Sequence, residues 1–306
     1  MMKWTVGDIP PQNGRLAVVT GANSGIGWYT ALELARAGAA VILAARSEEK
    51  ALDAVARIRK QLPNADVRPE VLDLASLASV RRFAARVGAE AKLDLLINNA
   101  GVMKIPRREV TEDGFERQFA TNFLGHFALT SLLMPALLRA TAPRVTTVSS
   151  IAAKLGLKRI RFEDLQWERS YDPWAVYCQT KLADLMFALE LSRRCTAGNT
   201  SVLSNAAHPG LSRTNIHNAG PGKPQGIARE MIGRIISQDA FHGALPTLRA
   251  ATEINAAPGG YYGPDGLFQF RGNPVSISIP KAAQDEAPAR KLWDIAERLT
   301  RTRFFV

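Results

Sequence analysis

TGANSGIG, residues Thr20 to Gly27, decides how the rest of the chain is read. It follows the apolar run RLAVVT (Arg15 to Thr20) and precedes WYTALELARAG, a segment with helical character that ends at Gly38. Glycines at the point where a strand gives way to a helix let the backbone approach a diphosphate. There the free N–H groups of the helix N-terminus favour an anion. Gly21, Asn23, Ser24, Gly25, Ile26 and Gly27 would line such a turn. A glycine pattern in isolation is often only a tight turn; the flanking strand and helix favour the nucleotide reading here.

Working outward, apolar strands alternate with long amphipathic segments through the first two thirds of the chain. AAVILAA (Ala39 to Ala45) reads as a strand, SEEKALDAVARIRKQL as a helix capped by Ser47, and VRPEVLDL as a strand. SLASVRRFAARVGAE reads as a helix with Ser76 as its cap, and KLDLLINNAG as a strand ending at Asn98. A long helix from Phe115 to Arg139, the strand RVTTVSS, a loop to about Pro173, a helix through Tyr177 and Lys181, and the strand TSVLSNAAHPG follow. This rhythm predicts an α/β fold: a Rossmann-type doubly wound parallel sheet in a three-layer αβα sandwich, forming one domain over 1–306. PGKPQG (Pro221 to Gly226) interrupts the pattern, and the irregular stretch at about 211–240 is expected to be a substrate lid. A helix, a short strand at YYGPDG and a final helix around Ala289 to Arg301 close the domain.

Composition narrows the partners. The 306 residues are 46% apolar, enough for a large core. Net charge +11 admits nucleic acid, an anionic membrane or a polyanionic small molecule. The cations are spread along the chain without a zinc-finger or helix-turn-helix pattern, so nucleic acid is not expected. The two cysteines, Cys178 and Cys195, are too few for a disulfide framework and fit either a reducing, cytoplasmic setting or a fold with no need for bridges. MMKWTVGDIPPQNGR has no apolar core, so neither a signal nor a membrane anchor is read there. The four histidines, His126, His208, His217 and His242, do not form a spaced ligand set, and no metal is expected.

In a glycine-rich site of this kind, the residue ending the second strand chooses between a ribose hydroxyl and a ribose phosphate. Here it is Arg46, with no Asp or Glu at the strand end; a guanidinium can pair with a 2′-phosphate, which argues for NADP(H). Asp73 closes the next strand and is suited either to the adenine amino group or to capping the helix near Ser76.

Taken together, TGANSGIG, Asp73, NNAG (Asn98 to Gly101), Asn122, the Ser149–Ser150 pair, YCQTK (Tyr177 to Lys181) and HPG (His208 to Gly210) resemble the short-chain dehydrogenase/reductase family over nearly the whole chain. FEDLQWERSYDPWAVYCQTKLADLMFALEL looks most like its retinol dehydrogenase-like subgroup. The resemblance implies hydride transfer between NADP(H) and a carbonyl or alcohol, with a lipophilic aldehyde or ketone as the expected substrate. It makes Tyr177 the general acid in reduction and base in oxidation, and Lys181 the cation that favours its phenolate and holds the nicotinamide ribose. Ser150 would hydrogen-bond the substrate oxygen, and Asn122 would hold a water that relays protons to Lys181. The sequence alone leaves Ser149 and Ser150 tied. Leu74, Asn99, Ala100, Gly101, Pro209, Gly210 and Thr214 would contact the cofactor; His208 is read as a strand-end packing residue.

This chain departs from the resemblance at Trp28, where a small charged side chain is common, so cofactor entry or helix packing is expected to differ. Lys104, Arg107 and Arg108, with Lys154, Lys158, Arg159 and Arg161, should lie at the ligand edge of the sheet, either as a merely solvated surface, the reading favoured, or as a field that draws in a polyanion. Phe304, Phe305 and Val306 could pack within the chain or against a second subunit of a homo-oligomer, touch lipid or fray, with packing favoured slightly. The competing function is a noncatalytic dinucleotide-binding redox sensor, which would have no need of a proton donor facing the nicotinamide.

Overall fold

The computed structural model describes residues 3–212 and 237–305. Eight strands form one sheet in the order β3-β2-β1-β4-β5-β6-β7-β8. They are β1 (Leu16–Thr20), β2 (Ala40–Ala45), β3 (Val67–Val71), β4 (Leu95–Asn98), β5 (Arg144–Val148), β6 (Leu203–Ala207), β7 (Tyr261–Pro264) and β8 (Pro274–Ser276). Every adjacent pair is parallel except β7 with β8. Strands buried on both faces need no polar alternation, which explains why LAVVT, AVILAA and LLIN read as continuous apolar runs.

Helices α1 (Gly25–Arg36), α2 (Glu48–Gln61), α3 (Leu77–Gly88), α4 (Arg117–Leu138), α5 (Pro173–Ala197), α6 (Ala240–Thr252) and α7 (Glu286–Thr300) cover the sheet. α1 and α6 pack with the sheet into one apolar cluster. α3, α4, α5 and α7 form the cluster on the other face. Ser47 and Ser76 cap α2 and α3 as expected, accepting from the N–H of Lys50 and Ser79. Phe304 packs within the chain, its ring 4.5 Å from Trp293 and 5.1 Å from Phe127, while Phe305 is exposed.

Three features differ from the sequence reading. α4 is interrupted by a π-helical turn, Ala120–Leu124. It is also long and apolar enough to cross a membrane, but its most apolar window is 78% buried inside the fold, as befits a core helix. The segment expected to be plain loop before Pro173 contains a helical turn at Ala152–Leu155, and the antiparallel strand β8 was not anticipated. Most of the stretch expected to form a lid lies outside the described residues. Its flanks do not: Ser212 bridges Gln238, and the Gln238 N–H donates to the Leu211 carbonyl at 2.8 Å.

Candidate active site

Strand order reverses between β1 and β4, and the crevice beyond their C-terminal ends is where an open α/β sheet holds its ligand. A cavity of about 540 Å³ lies there. Its walls bring together Gly21, Asn23, Ser24, Gly25, Ile26 and Gly27 after β1, Arg46 after β2, and Asp73 and Leu74 after β3. They also include Asn99, Ala100 and Gly101 after β4, Ser150 after β5, Tyr177 and Lys181 on α5, and Pro209 and Gly210 after β6. Asn122 stands behind the wall, and Thr214 lies outside the described residues.

The half around β1 is shaped by close backbone packing. Gly21 has φ +67°, and a Cβ there would lie 2.9 Å from the Ala100 Cα. A Cβ on Gly27 would lie 2.5 Å from both the Gly21 carbonyl oxygen and Asn99 Nδ2, so neither position accepts a side chain without displacing its neighbours. Thr20 ties this turn to the end of β4: its Oγ1 accepts from the N–H groups of Asn99 and Ala100 at 2.8 and 2.9 Å. The side chain of Ser24, the N-cap of α1, makes no capping bond, and the first-turn residues Gly25, Ile26 and Gly27 face the cavity. Trp28 acts on packing. It is buried, donates from Nε1 to the Ala54 carbonyl at 3.1 Å and carries the Arg57 guanidinium on its face; that guanidinium also donates to the Asn23 carbonyl at 2.6 Å.

These residues fit a phosphorylated dinucleotide. Free first-turn N–H groups suit a diphosphate. Arg46 and Lys50 both reach the cavity at the end of β2, and Asp73 is the one carboxylate among the lining residues. Lys50 was missed in the sequence because its position in α2 reads as ordinary helix surface. Ser76 rather than Asp73 caps α3; Asp73 instead closes its own turn, accepting from the Ala75 N–H at 2.9 Å.

Buried side chains build the half around β5 and α5. The two serines separate by geometry: Ser149 donates to the Lys181 main-chain carbonyl at 2.6 Å, whereas Ser150 Oγ accepts from the Ala152 N–H at 3.1 Å and its side chain acts on the Tyr177 phenol. Tyr177 is 7% exposed and stacks on Trp174, with ring centroids 5.7 Å apart. Burial raises the Tyr177 phenol above its ordinary value, opposed by the Lys181 ammonium and the Ser150 bond. Lys181 Nζ donates to the Val148 carbonyl at 2.9 Å and to Asp184 Oδ2 at 2.8 Å. Asp184 was missed because an acid three residues after a lysine on a helix usually marks a solvated face.

Asn122 sits in the π-helical turn of α4 and grips the chain leaving β4. Its Oδ1 accepts from the Val102 N–H at 2.8 Å, and its Nδ2 donates to the Val102 carbonyl at 2.9 Å and to Thr180 Oγ1 at 3.0 Å. The Asn122 main-chain carbonyl lies 2.8 Å from His126 Nδ1, and Thr20 Oγ1 lies 2.9 Å from His126 Nε2. A carbonyl can only accept, so Nδ1 carries the proton and Thr20 donates to Nε2. His126 is buried, which lowers its pKa to about 3 and keeps it neutral. This buried chain links the glycine-rich turn to Asn122, and nothing in the local sequence signals it.

Several expectations about charge change. Arg108, Arg159 and Arg161 pair with Glu168, Glu163 and Asp164, so the basic edge is partly neutralised. Lys104 remains at the cavity, its Nζ 4.9 Å from the Trp174 ring centroid. His208 accepts from the Gly210 N–H at 3.1 Å and shapes the HPG turn, in keeping with a packing role. Both cysteines are buried and unpaired, and the described residues contain no cluster of His, Cys, Asp and Glu suited to a metal.

A doubly wound sheet with a glycine-rich crevice at its switch point, faced by a buried tyrosine and lysine, has the architecture of a dinucleotide-dependent oxidoreductase. The chain belongs to the short-chain dehydrogenase/reductase family: the family model for short chain dehydrogenase matches residues 15–162. It is 42% identical over 293 residues to retinol dehydrogenase 13 of Mus musculus, covering 94% of this chain and 84% of that one. The crystal structure of an uncharacterized protein from Mycobacterium paratuberculosis matches with TM-score 0.83 at 41% identity, covering 100% of both chains. A short chain dehydrogenase from Escherichia coli complexed with NADPH matches with TM-score 0.55 at 25% identity, covering 70% of this chain and 84% of that one.

Proposed function

We propose that this chain transfers hydride between NADP(H) and a carbonyl/alcohol pair, acting on a lipophilic aldehyde or ketone or on the corresponding alcohol. One observation carries the reading: Ser150, Tyr177 and Lys181 face the same cavity as the glycine-rich turn and the Arg46 and Lys50 cations. The dinucleotide, when bound, supplies or takes up the hydride. In reduction, the Ser150 hydroxyl donates to the substrate oxygen, and the Tyr177 phenol passes its proton to that oxygen as negative charge grows there. In oxidation the phenolate takes the proton back, and the Lys181 ammonium stabilises that phenolate.

Arg46 and Lys50 would pair with the 2′-phosphate, while Lys181 would hold the nicotinamide ribose. Thr214 is carried in the proposal as a cofactor contact. Asn122 supports the proton path by keeping Gly101 and Val102 in place beside Lys181. Met103, Ile151, Trp174 and Leu211 give the cavity an apolar side suited to a lipophilic substrate, in line with the name of the mouse relative. The unpaired thiols support a cytoplasmic setting.

The test is a panel of apolar aldehydes and ketones assayed with NADPH and NADH, beside Tyr177→Phe. Turnover with NADPH is expected, together with a loss of about 10²–10⁴-fold in the variant. Undiminished activity in Tyr177→Phe would sink the proton-donor assignment; a clear NADH preference would sink the role of Arg46.

A further inference from the structure

We propose that Asp184 is a positioning residue which fixes Lys181 against the end of β5 and, through that ammonium, sets the pH at which Tyr177 changes protonation state. The proposal rests on the reading of Tyr177 as proton donor and deepens it.

Geometry comes first. Lys181 and Asp184 stand three residues apart on α5, with side chains 5% and 2% exposed. An ammonium has three donors. Two are taken, by the Val148 carbonyl at 2.9 Å and by Asp184 Oδ2 at 2.8 Å. One donor is left. Nζ lies 3.7 Å from where a Gly101 Cβ would be, so the ammonium comes up against the chain leaving β4 at the cavity wall. Without the carboxylate, Val148 alone would anchor this long side chain.

The charges facing this pair come from few places. On α5 itself are Tyr177, Asp184 and Cys178; His126 faces Lys181 from α4 and is neutral. Ser150 approaches Tyr177 from the end of β5 as a neutral hydroxyl, and Lys104, after β4, acts on neighbouring Cys178. Asp184 is therefore the one carboxylate acting on Tyr177 among these groups. Burial disfavours the Lys181 cation, but Asp184 and Tyr177 outweigh burial, and the net direction is upward. Burial raises the Asp184 carboxyl to about 6 despite the adjacent ammonium. Above that pH the carboxylate offsets part of the field that Lys181 exerts on the phenol. Below it, the protonated acid leaves the ammonium unopposed.

The signs make the idea testable. Asp184→Asn keeps the shape and an acceptor for Lys181 but removes the negative charge, so the Tyr177 phenolate becomes easier to form. The pH-rate limb belonging to Tyr177 should move down by about 1–2 pH units. Asp184→Ser, smaller and also uncharged, should shift it in the same direction and in addition lower kcat, because Lys181 loses its anchor. Tyrosinate formation is read separately by ultraviolet difference absorbance of each protein against its Tyr177→Phe counterpart. That titration needs no turnover, so it reports on Asp184 even if no carbonyl substrate is accepted and the proposed function fails. Downward shifts in both variants support the proposal. A Tyr177 titration that stays at the wild-type pH in whichever variants fold, or moves upward, overturns it.

Discussion

The two halves of the crevice are built by different means. Around β1 the wall is backbone: glycines packed so closely that a single methyl would collide with Ala100 or Gly21, and helix N–H groups left free. Around β5 and α5 the wall is a set of buried side chains: Ser149 on the Lys181 carbonyl, Ser150 on the Ala152 N–H, Tyr177 stacked on Trp174, and Lys181 held by Val148 and Asp184. The first half should respond to added volume and the second to changed charge.

The largest expected effect is in the second half, where Tyr177→Phe should cost about 10²–10⁴-fold in turnover while leaving dinucleotide affinity nearly unchanged. A parallel loss of affinity, measured by fluorescence titration, would show that the halves are not separable. Next comes stability against pH. Burial holds His126 at about 3 and His208 at about 4, so below pH 6.5 the unfolded chain binds protons that the folded chain refuses. Asp184, raised to about 6, works the other way between 6 and 3.8. Glu116, also raised by burial, works the same way as Asp184, so the histidine contribution is partly offset and unfolding free energy should fall by no more than about 1.4 kcal/mol per pH unit as pH drops from 6 towards 4. Denaturant midpoints across that range provide the check, and a flat profile would mean that the buried histidines are not held neutral.

In the first half, Gly27→Ala should destabilise the fold by about 1–3 kcal/mol through overpacking, seen as a lower denaturant midpoint. The smallest expected change is Arg46→Ala, which should weaken NADPH binding about tenfold and leave NADH binding unaltered. Equal effects on both cofactors would detach Arg46 from the 2′-phosphate.

The same contrast explains what could be read in the sequence. Backbone sites carry a local signature: glycines between a strand and a helix, a cation at the next strand end, a doubly buried sheet announced by apolar runs. Tyr177, Lys181 and Ser150 were legible through their order along the chain and the resemblance it supports. What escaped depends on contacts between distant elements. His126 matters because Thr20 lies 106 residues away in sequence and 2.9 Å away in space. Asp184 looks like helix surface until α5 proves to be buried on nearly all sides, which erases the polar face that periodicity relies on. The π-helical turn at Ala120–Leu124 adds one residue to a helical loop of hydrogen bonds, too small a change for composition to register.

Ser212 and Gln238 meet as a bridge, so two points well separated in sequence are tied together beside the cavity. A connection whose ends are already joined can be exchanged with little disturbance elsewhere, since doubling its length adds only about 0.6 kcal/mol of closure entropy. That makes the bridge a natural splice junction. Segments exchanged between Ser212 and Gln238 that keep Thr214 should leave the rest of the crevice and its buried charges as a constant chassis.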